Sequence, residues 1–326
     1  MSFEHILVER SGDFATVTMN RPQRRNALSL EHMRELITAF GELGNSDVRG
    51  IVLAGRGPVF SAGHDFADTA GADLPYMRAL LSTCTDLMTL IQRVPQPVLA
   101  RVHGLATAAG CQLVASADLA VASEDAGFAA PGGKGGWFCH TPMVAIARNV
   151  SRKRAAELAM SGDVIDARTA LDWGLVNRVV PAAQLDSAVQ DLLDRVTKGS
   201  AQSKGIGKQA LYAQIDLDQA KAYAYAVEVM AATSQLPEAR EWMHAFLEKR
   251  KPNWDRGRPL VSWTFSQTGT CWPLSLVNGC RVQPSHRSRG RIPASPASTP
   301  AVASTAAGSN MPSDESSYLA ATRSGK

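Results

Sequence analysis

No stretch of the sequence approaches the roughly 20 consecutive apolar residues that a membrane span requires, which removes transmembrane functions from consideration. The first twelve residues, MSFEHILVERSG, hold neither an apolar signal core nor an Arg- and Ser-rich amphipathic presequence. Cysteine is scarce. Cys84, Cys111, Cys139, Cys271 and Cys280 form no CxxC pair and no metal-ligand spacing, so neither a disulfide framework nor a metal site is expected, and the thiols read as buried ones in a reduced compartment. Together these absences predict a cytoplasmic protein. No Gly-rich phosphate loop of the Walker or dinucleotide kind occurs, and no internal repeat is visible. Charge of one sign is not in excess either. The 34 basic and 30 acidic residues leave a net charge of +4 dispersed along the chain, which argues against nucleic acid or a membrane surface as partner.

What is present is material for a core: 45% of the 326 residues are hydrophobic, enough for one large domain or two ordinary ones. Ile6 to Glu9 and Phe14 to Met19 read as a hairpin turned by Ser11-Gly12-Asp13. Ser29 is a fitting N-cap for a helix from Leu30 to Leu43, where Leu30, Met33, Leu36, Ile37 and Phe40 recur at helical spacing. Gly50 to Ala54 is a short β-branched run. A Gly-rich loop, a helix over Tyr76 to Arg93, a strand at Val98 to Val102, a small-residue helix near Thr107 to Ala115 and a strand at Leu119 to Ala122 continue an α/β alternation. From Thr141 to Lys251 the pattern is predominantly helical. Arg258 to Lys326, rich in Ser, Pro, Gly, Thr and Ala, lacks any sustained period and reads as a disordered tail, so the folded domain is placed at 1–257. A small extra domain seeded by Trp263, Phe265 and Trp272 is the alternative.

Two segments draw attention for their backbone more than their side chains. In Val59 to Phe66, Gly63 permits a sharp turn that can leave the next N–H aimed into a cleft. In His103 to Gln112, a strand leads into a helix whose first turn is nearly bare of side chains, so a ligand can approach its orphan N–H groups and positive dipole end. Two such donors suggest an oxyanion hole. Small residues at a helix start serve equally well for close packing of helix on sheet.

The combination of Asn20-Arg21-Pro22, Asn26-Ala27-Leu28, Phe60-Ser61-Ala62-Gly63-His64-Asp65, His103-Gly104 through Gly110-Cys111-Gln112, and Phe246 to Pro252 resembles the enoyl-CoA hydratase/isomerase (crotonase) superfamily. The run Gly104 to Ser116 is similar especially to its branch of enoyl-CoA hydratase domain-containing proteins. The resemblance spans residues 3 to about 252. It implies a crotonase-like α/β spiral of ββα units with a C-terminal helical region for trimerisation, a trimer or hexamer, an acyl-CoA substrate, and no cofactor beyond the coenzyme A carried by the substrate. It makes the backbone N–H groups of His64 and Ala109 the oxyanion-hole donors. It places Asn26, Ala27, Ala62, Asp65 and Phe66 along the adenine and pantetheine path, Arg24 or Arg25 near phosphates, and Lys249 and Arg250 where the last helix reaches CoA. These four basic residues also read as solvated surface charges or a charged helix end.

The departures weigh more. Two glutamates flank the hole in family hydratases, and the aligned positions here are Gln112 and Gly132, neither of which titrates. Gln112, three residues after Ala109, is expected on the hole's face of the helix, able to orient but not to abstract a proton. After Pro131, Thr141 is expected to cap a helix with Pro142 at its first position, which puts His140 and a Cys139 thiolate forward as candidate bases. Asp68 and Asp73 read as solvated. The leading expectation is an acyl-CoA enzyme of this family, formally a lyase of fatty acid metabolism, with altered chemistry. A non-catalytic CoA-binding oligomer and an acyl-CoA hydrolase are the alternatives.

Overall fold

A computed structural model describes residues 3–254. The tail expected from Arg258 lies outside the described residues. The hairpin forms as expected: β1 (Ile6–Ser11) and β2 (Phe14–Met19) pair antiparallel with Ser11 opposite Phe14, and Gly12 takes φ +57° in the turn. Ser29 caps α1 (Leu30–Gly44) by accepting from the His32 N–H, and Met33, Leu36, Phe40 and Leu43 bury its inner face. β3 (Gly50–Gly55) runs parallel to β2 and is buried along its whole length.

The Gly-rich loop that follows contains a short strand, β4 (Val59–Ser61), and a single helical turn, α2 (Phe66–Thr69). α3 (Leu74–Arg93) begins two residues before the predicted start because Asp73 caps it, its carboxylate accepting from the Tyr76 N–H at 2.9 Å. Asp73 is therefore a structural cap and not a free surface charge. β5 (Val98–Val102) is as expected, but the predicted helix from Thr107 starts later: β6 (Leu105–Thr107) precedes α4 (Ala109–Ser116). β7 (Leu119–Ser123) and β8 (Gly127–Ala129) come next.

The remaining elements are α5 (His140–Ile146), α6 (Arg152–Ser161), β9 (Ile165–Asp166), α7 (Ala167–Trp173), β10 (Arg178–Val180), α8 (Leu185–Thr197), α9 (Ala201–Gln214), α10 (Gln219–Thr233) and α11 (Pro237–Leu247). α5 is capped by Cys139, not Thr141, and Pro142 is its third residue. That shift is tolerated because no N–H in the first turn has an intrahelical acceptor, so proline forfeits nothing there.

Two sheets result, ordered β1-β2-β3-β5-β7-β10 and β4-β6-β8-β9. A repeat hidden from the sequence joins them: β3-β4, β5-β6 and β7-β8 each send a long strand into the first sheet, a three-residue strand into the second, and then a helix. These are the ββα units of the crotonase-like spiral. The short strands therefore stack one turn of the spiral on the next, and their C-terminal ends meet at the starts of the helices.

α9 is fastened to this core by charge. Lys208 Nζ lies 2.6 Å from Asp118 Oδ2 and donates to the carbonyls of Ile91 and Gln96, while Tyr212 donates to Asp118 Oδ1 at 2.9 Å. Both charged side chains are nearly excluded from water, so removing one strands the other. Asp118→Ala should lower the unfolding free energy by about 3–5 kcal/mol, read from urea melts, and Lys208→Met in the same chain should recover part of that loss.

Candidate functional site

Two turns converge where β4 and β6 end. In the first, Ser61 Oγ donates to the Asn26 carbonyl and accepts from the Gly63 N–H, and Gly63 turns the chain at φ +86°. Leu28 then bonds both neighbours of His64, its N–H donating to the Gly63 carbonyl at 2.7 Å and its carbonyl accepting from the Asp65 N–H at 3.2 Å. In such a parallel bridge the middle residue's own N–H faces away, and that of His64 has no partner among the described residues.

In the second turn Ala108 sits at φ +50°, ψ −119°, a region alanine enters only under strain. Its N–H donates to the Ala129 carbonyl and its carbonyl accepts from the Gln112 N–H. The N–H of Ala109, first in α4, is unpartnered among the described residues. The two turns touch. A Cβ on Gly63 would lie 3.1 Å from the Ala109 nitrogen, and one on Gly110 would lie 2.3 Å from the Ser61 carbonyl oxygen. Glycine at both places lets backbone lie on backbone.

Both residues line a cavity of about 490 Å³ whose walls are Ala62, His64, Phe66, Ala109, Leu81 of α3, and residues between Pro131 and Pro142. That wall holds no carboxylate. Its titratable side chains are His64, Lys134, Cys139 and His140. Lys134 is paired with Asp163. Burial pushes the Cys139 thiol up, although its Sγ accepts from the Gly132 N–H at 3.3 Å, so the thiolate expected at the helix start is disfavoured. His140 is exposed, with its ring 5.0 Å from that of Phe138. The His64 ring is 6.3 Å from Trp137, and neither of its nitrogens, both buried, completes a hydrogen bond. Burial lowers its pKa below the ordinary 6.5. A larger groove of about 800 Å³ between α9 and α10 contains no histidine, cysteine or charged side chain.

Of the residues singled out from sequence, Ala62, His64, Phe66, Ala109, Gly132 and His140 thus line one cavity. Others do not. Asn26 is fully buried, its amide donating to the carbonyls of Arg56, Val59 and Phe60 and accepting from the Arg21 N–H, so its side chain ties loops together. Buried beside it, Ala27 gives its carbonyl to Arg21 and to His32 Nδ1. Asp65 caps α2 through the Ala67 N–H and pairs with Arg24 at 2.6 Å and Arg21 at 3.3 Å. Burial pushes its carboxyl up, but Arg24 and the Ala67 N–H outweigh that and hold it below the usual range. Asp68, read as solvated, keeps a buried and unpartnered Oδ2, and burial raises its pKa. Arg25 is exposed, and no ion pair engages it among the described residues. Lys249 and Arg250 follow α11, Arg250 bound to Glu241 and Glu248.

Gln112 is not in the cavity wall either. It is buried, and its Oε1 accepts from the Cys84 thiol of α3 at 3.8 Å, so this side of the amide faces a neighbouring helix. Gly132 has a steric reason to be glycine, since a Cβ there would meet the Trp137 carbonyl oxygen at 2.1 Å. Sequence reading missed Leu81, Trp137 and the strain at Ala108. Trp137, a large ring in a glycine-rich run, was the one with a visible signal.

The spiral of ββα units matches a known class. A family model described as Enoyl-CoA hydratase/isomerase matches residues 9–257, and the chain belongs to that family. It is 41% identical over 242 residues to the mouse (Mus musculus) protein named Enoyl-CoA hydratase domain-containing protein 3, mitochondrial, covering 73% of this chain and 80% of that one. Among solved structures it resembles an enoyl-CoA hydratase of Mycobacterium smegmatis (45% identity, TM-score 0.75, 77% of this chain and 99% of that one). It also resembles human enoyl Coenzyme A hydratase domain-containing protein 3 (37%, TM-score 0.74, 77% and 100%). The vertebrate relatives are named mitochondrial, which overturns the cytoplasmic expectation. Scarce thiols and a neutral charge balance suit either compartment, so composition could not separate them.

The strain at Ala108 is testable. Ala108→Gly should raise unfolding stability by about 1 kcal/mol in thermal melts, the relief of an alanine at positive φ exceeding the extra chain entropy of glycine.

Proposed function

We propose that this chain binds acyl-CoA thioesters in the cavity and holds the thioester oxygen between the N–H groups of His64 and Ala109, stabilising the enolate formed when the acyl α-carbon loses a proton. The observation that carries the reading is the convergence of two unpartnered backbone amides, from separate turns, on one largely apolar cavity. A preorganised donor of this kind is typically worth ~10²–10³ in rate. Arg25, exposed and free of ion pairs among the described residues, is the preferred contact for the CoA phosphates over Arg24, which Asp65 engages. No cofactor beyond the CoA of the substrate is required.

Ordinary enoyl-CoA hydration is not the reaction proposed. Hydration needs one group to take a proton from water and another to manage the proton at the α-carbon, and loss of such a group usually forfeits ~10²–10⁴. The wall offers no carboxylate for either task. Nor is the site one substitution from a hydratase, because a glutamate at Gly132 would begin with a Cβ inside the Trp137 carbonyl.

The working unit proposed is a trimer or a pair of trimers. α10 buries none of its residues, and Tyr223, Val227, Met230, Trp242 and Phe246 are exposed on the last two helices, an apolar surface of the sort that oligomers cover.

Calorimetry with butyryl-CoA and crotonyl-CoA tests the binding. Wild type should bind both, and Ala109→Pro, which deletes one donor, should weaken binding about tenfold or more, in proportion to a lost charge-assisted hydrogen bond of about 1.5–3 kcal/mol. Equal affinity in the two proteins would rule the hole out, and brisk crotonyl-CoA hydration by wild type would rule out the disarmed site. Light scattering at micromolar concentration should return a multiple of three chains of 34.8 kDa. A monomer there would end the trimer proposal.

A further inference from the structure

His32 lies in the first turn of α1, wholly excluded from water. Its Nδ1 is 3.1 Å from the Ala27 carbonyl oxygen. A carbonyl only accepts, so Nδ1 carries the hydrogen and Nε2 keeps a lone pair. That second nitrogen is buried and has no partner among the described residues. The ring is therefore housed in its neutral form, with no acceptor in place for a second N–H. Its surroundings also oppose a positive charge. Arg21 donates to the same Ala27 carbonyl at 2.7 Å, and the His5 ring stands edge-on with its centre 6.0 Å away. Glu35, the one acid acting on the ring, is turned to the backbone, its two oxygens accepting from the Glu4 and His5 N–H groups. Arg21, His5 and Glu35 are the charged or titratable groups that act on it, and α3, which packs along α1, adds none among the described residues.

What this ring supports is the first turn of the site. Ala27 leads directly to Leu28, whose N–H donates to the Gly63 carbonyl and whose carbonyl accepts from the Asp65 N–H, so that His64 is fixed between them. Arg21 reaches from the Ala27 carbonyl to Asp65, on the far side of His64. Ser29, the next residue after Leu28, is bonded by the His32 N–H itself.

We infer that His32 is a proton-sensitive latch on the site: its neutral ring holds the Ala27–Leu28 segment against the His64 turn, and a proton on Nε2 drives that segment open. The consequence for ligand binding rests on the thioester reading above. Burial, with lesser help from Arg21 and His5, lowers the pKa of the ring from 6.5 to about 4, against the bond to Ala27 and the charge of Glu35. Once the segment opens, the ring takes its proton at the ordinary value of 6.5. The closed form is thus fully favoured above that value and loses ground as the pH falls from 6.5 to about 4, shifting the opening equilibrium by about 30-fold near pH 5. Against the push of burial, Arg24 and the Ala67 N–H hold the Asp65 carboxyl below the usual range, so it stays charged there.

Hydrogen exchange read by mass spectrometry, corrected for the pH dependence of the chemical rate, follows the opening. From about pH 7.5 to about pH 5, peptides covering 24–32 and 60–66 should lose protection by about 10- to 30-fold in wild type. β7, three strands along from β2 in the first sheet, should keep its protection. Exchange at the ring C2 of His32 should titrate with a midpoint of about 4. His32→Asn keeps a nitrogen that can donate to Ala27 and cannot titrate, so its two segments should change by less than about threefold. His64, whose pKa burial also lowers, is common to both proteins. Butyryl-CoA affinity, each protein compared with itself over the same range, should fall more steeply in wild type than in His32→Asn. A loss of protection that includes β7, none in wild type, an equal pH response of the two proteins in exchange or in affinity, or a His32 midpoint near 6.5 would each overturn the latch. Should His32→Asn fail to fold, wild-type exchange and the ring titration decide by themselves. Failure of both proteins to bind butyryl-CoA would overturn the thioester reading and leave exchange to judge the latch.

Discussion

The approach of Gly110 to the carbonyl of Ser61 is the constraint on which the site depends. With 2.3 Å between that oxygen and any Cβ added at Gly110, the end of β4 and the first turn of α4 can meet only as bare backbone. Gly63 makes the same demand from the other side. Once the two turns lie on each other, Leu28 and Ala129 occupy the neighbouring hydrogen-bonding groups, and the amides of His64 and Ala109, two residues lining one cavity, are left over. Ala108 is bent into a strained conformation to reach this arrangement. Core packing on both sides holds it there, as a strained backbone requires.

The long elements were legible in the sequence because their signals are local. Ser29 sits where a cap must, the apolar residues of α1 recur on one face, and the run over Gly50–Gly55 is uniformly apolar. The second sheet was not legible. β4, β6 and β8 have three residues each, too few for a period, and Thr107 reads as readily as the start of a helix as the end of a strand. At the site, Gly63 and the small residues around Ala109 pointed to the backbone turns, but small residues at a helix start serve equally well for packing on a sheet, and only the family resemblance of both segments separated the two uses. Placement of side chains was harder. Gln112 is three residues from Ala109, yet helix α3 brings Cys84 to its amide oxygen, a tertiary contact that helical spacing alone does not foretell. The family resemblance placed Asn26 and Asp65 along the ligand path, and the fold consumes their polarity internally.

The polar groups of the molecule accordingly fall into two populations. Asn26, Asp65, Asp118 and Lys208 are buried and matched by hydrogen bonds or opposite charge, which makes them parts of the frame. His64 and the N–H groups of His64 and Ala109 are shielded but unmatched. In a medium where an unmatched polar group is costly, those of His64 and Ala109 lie together at one cavity, whereas His32 Nε2, Asp68 Oδ2, Gln96 Oε1 and His103 Nδ1 are unmatched away from it. The apolar wall from Trp137, Phe66 and Leu81 heightens the contrast by lowering the local dielectric around it.

The same arrangement hides itself from the usual genetics. Side-chain truncation deletes what projects from the chain, whereas Ala109 is already an alanine and the amide of His64 survives any replacement of its ring except by proline. A systematic alanine scan of the cavity would pass over both amides in silence. Extended to the loops behind the cavity, it would assign large effects to Asn26 and Asp65, which brace them. Substituting backbone esters for the two amides by chemical synthesis or suppressor methods, one oxygen for one N–H, is the perturbation to which these groups would answer.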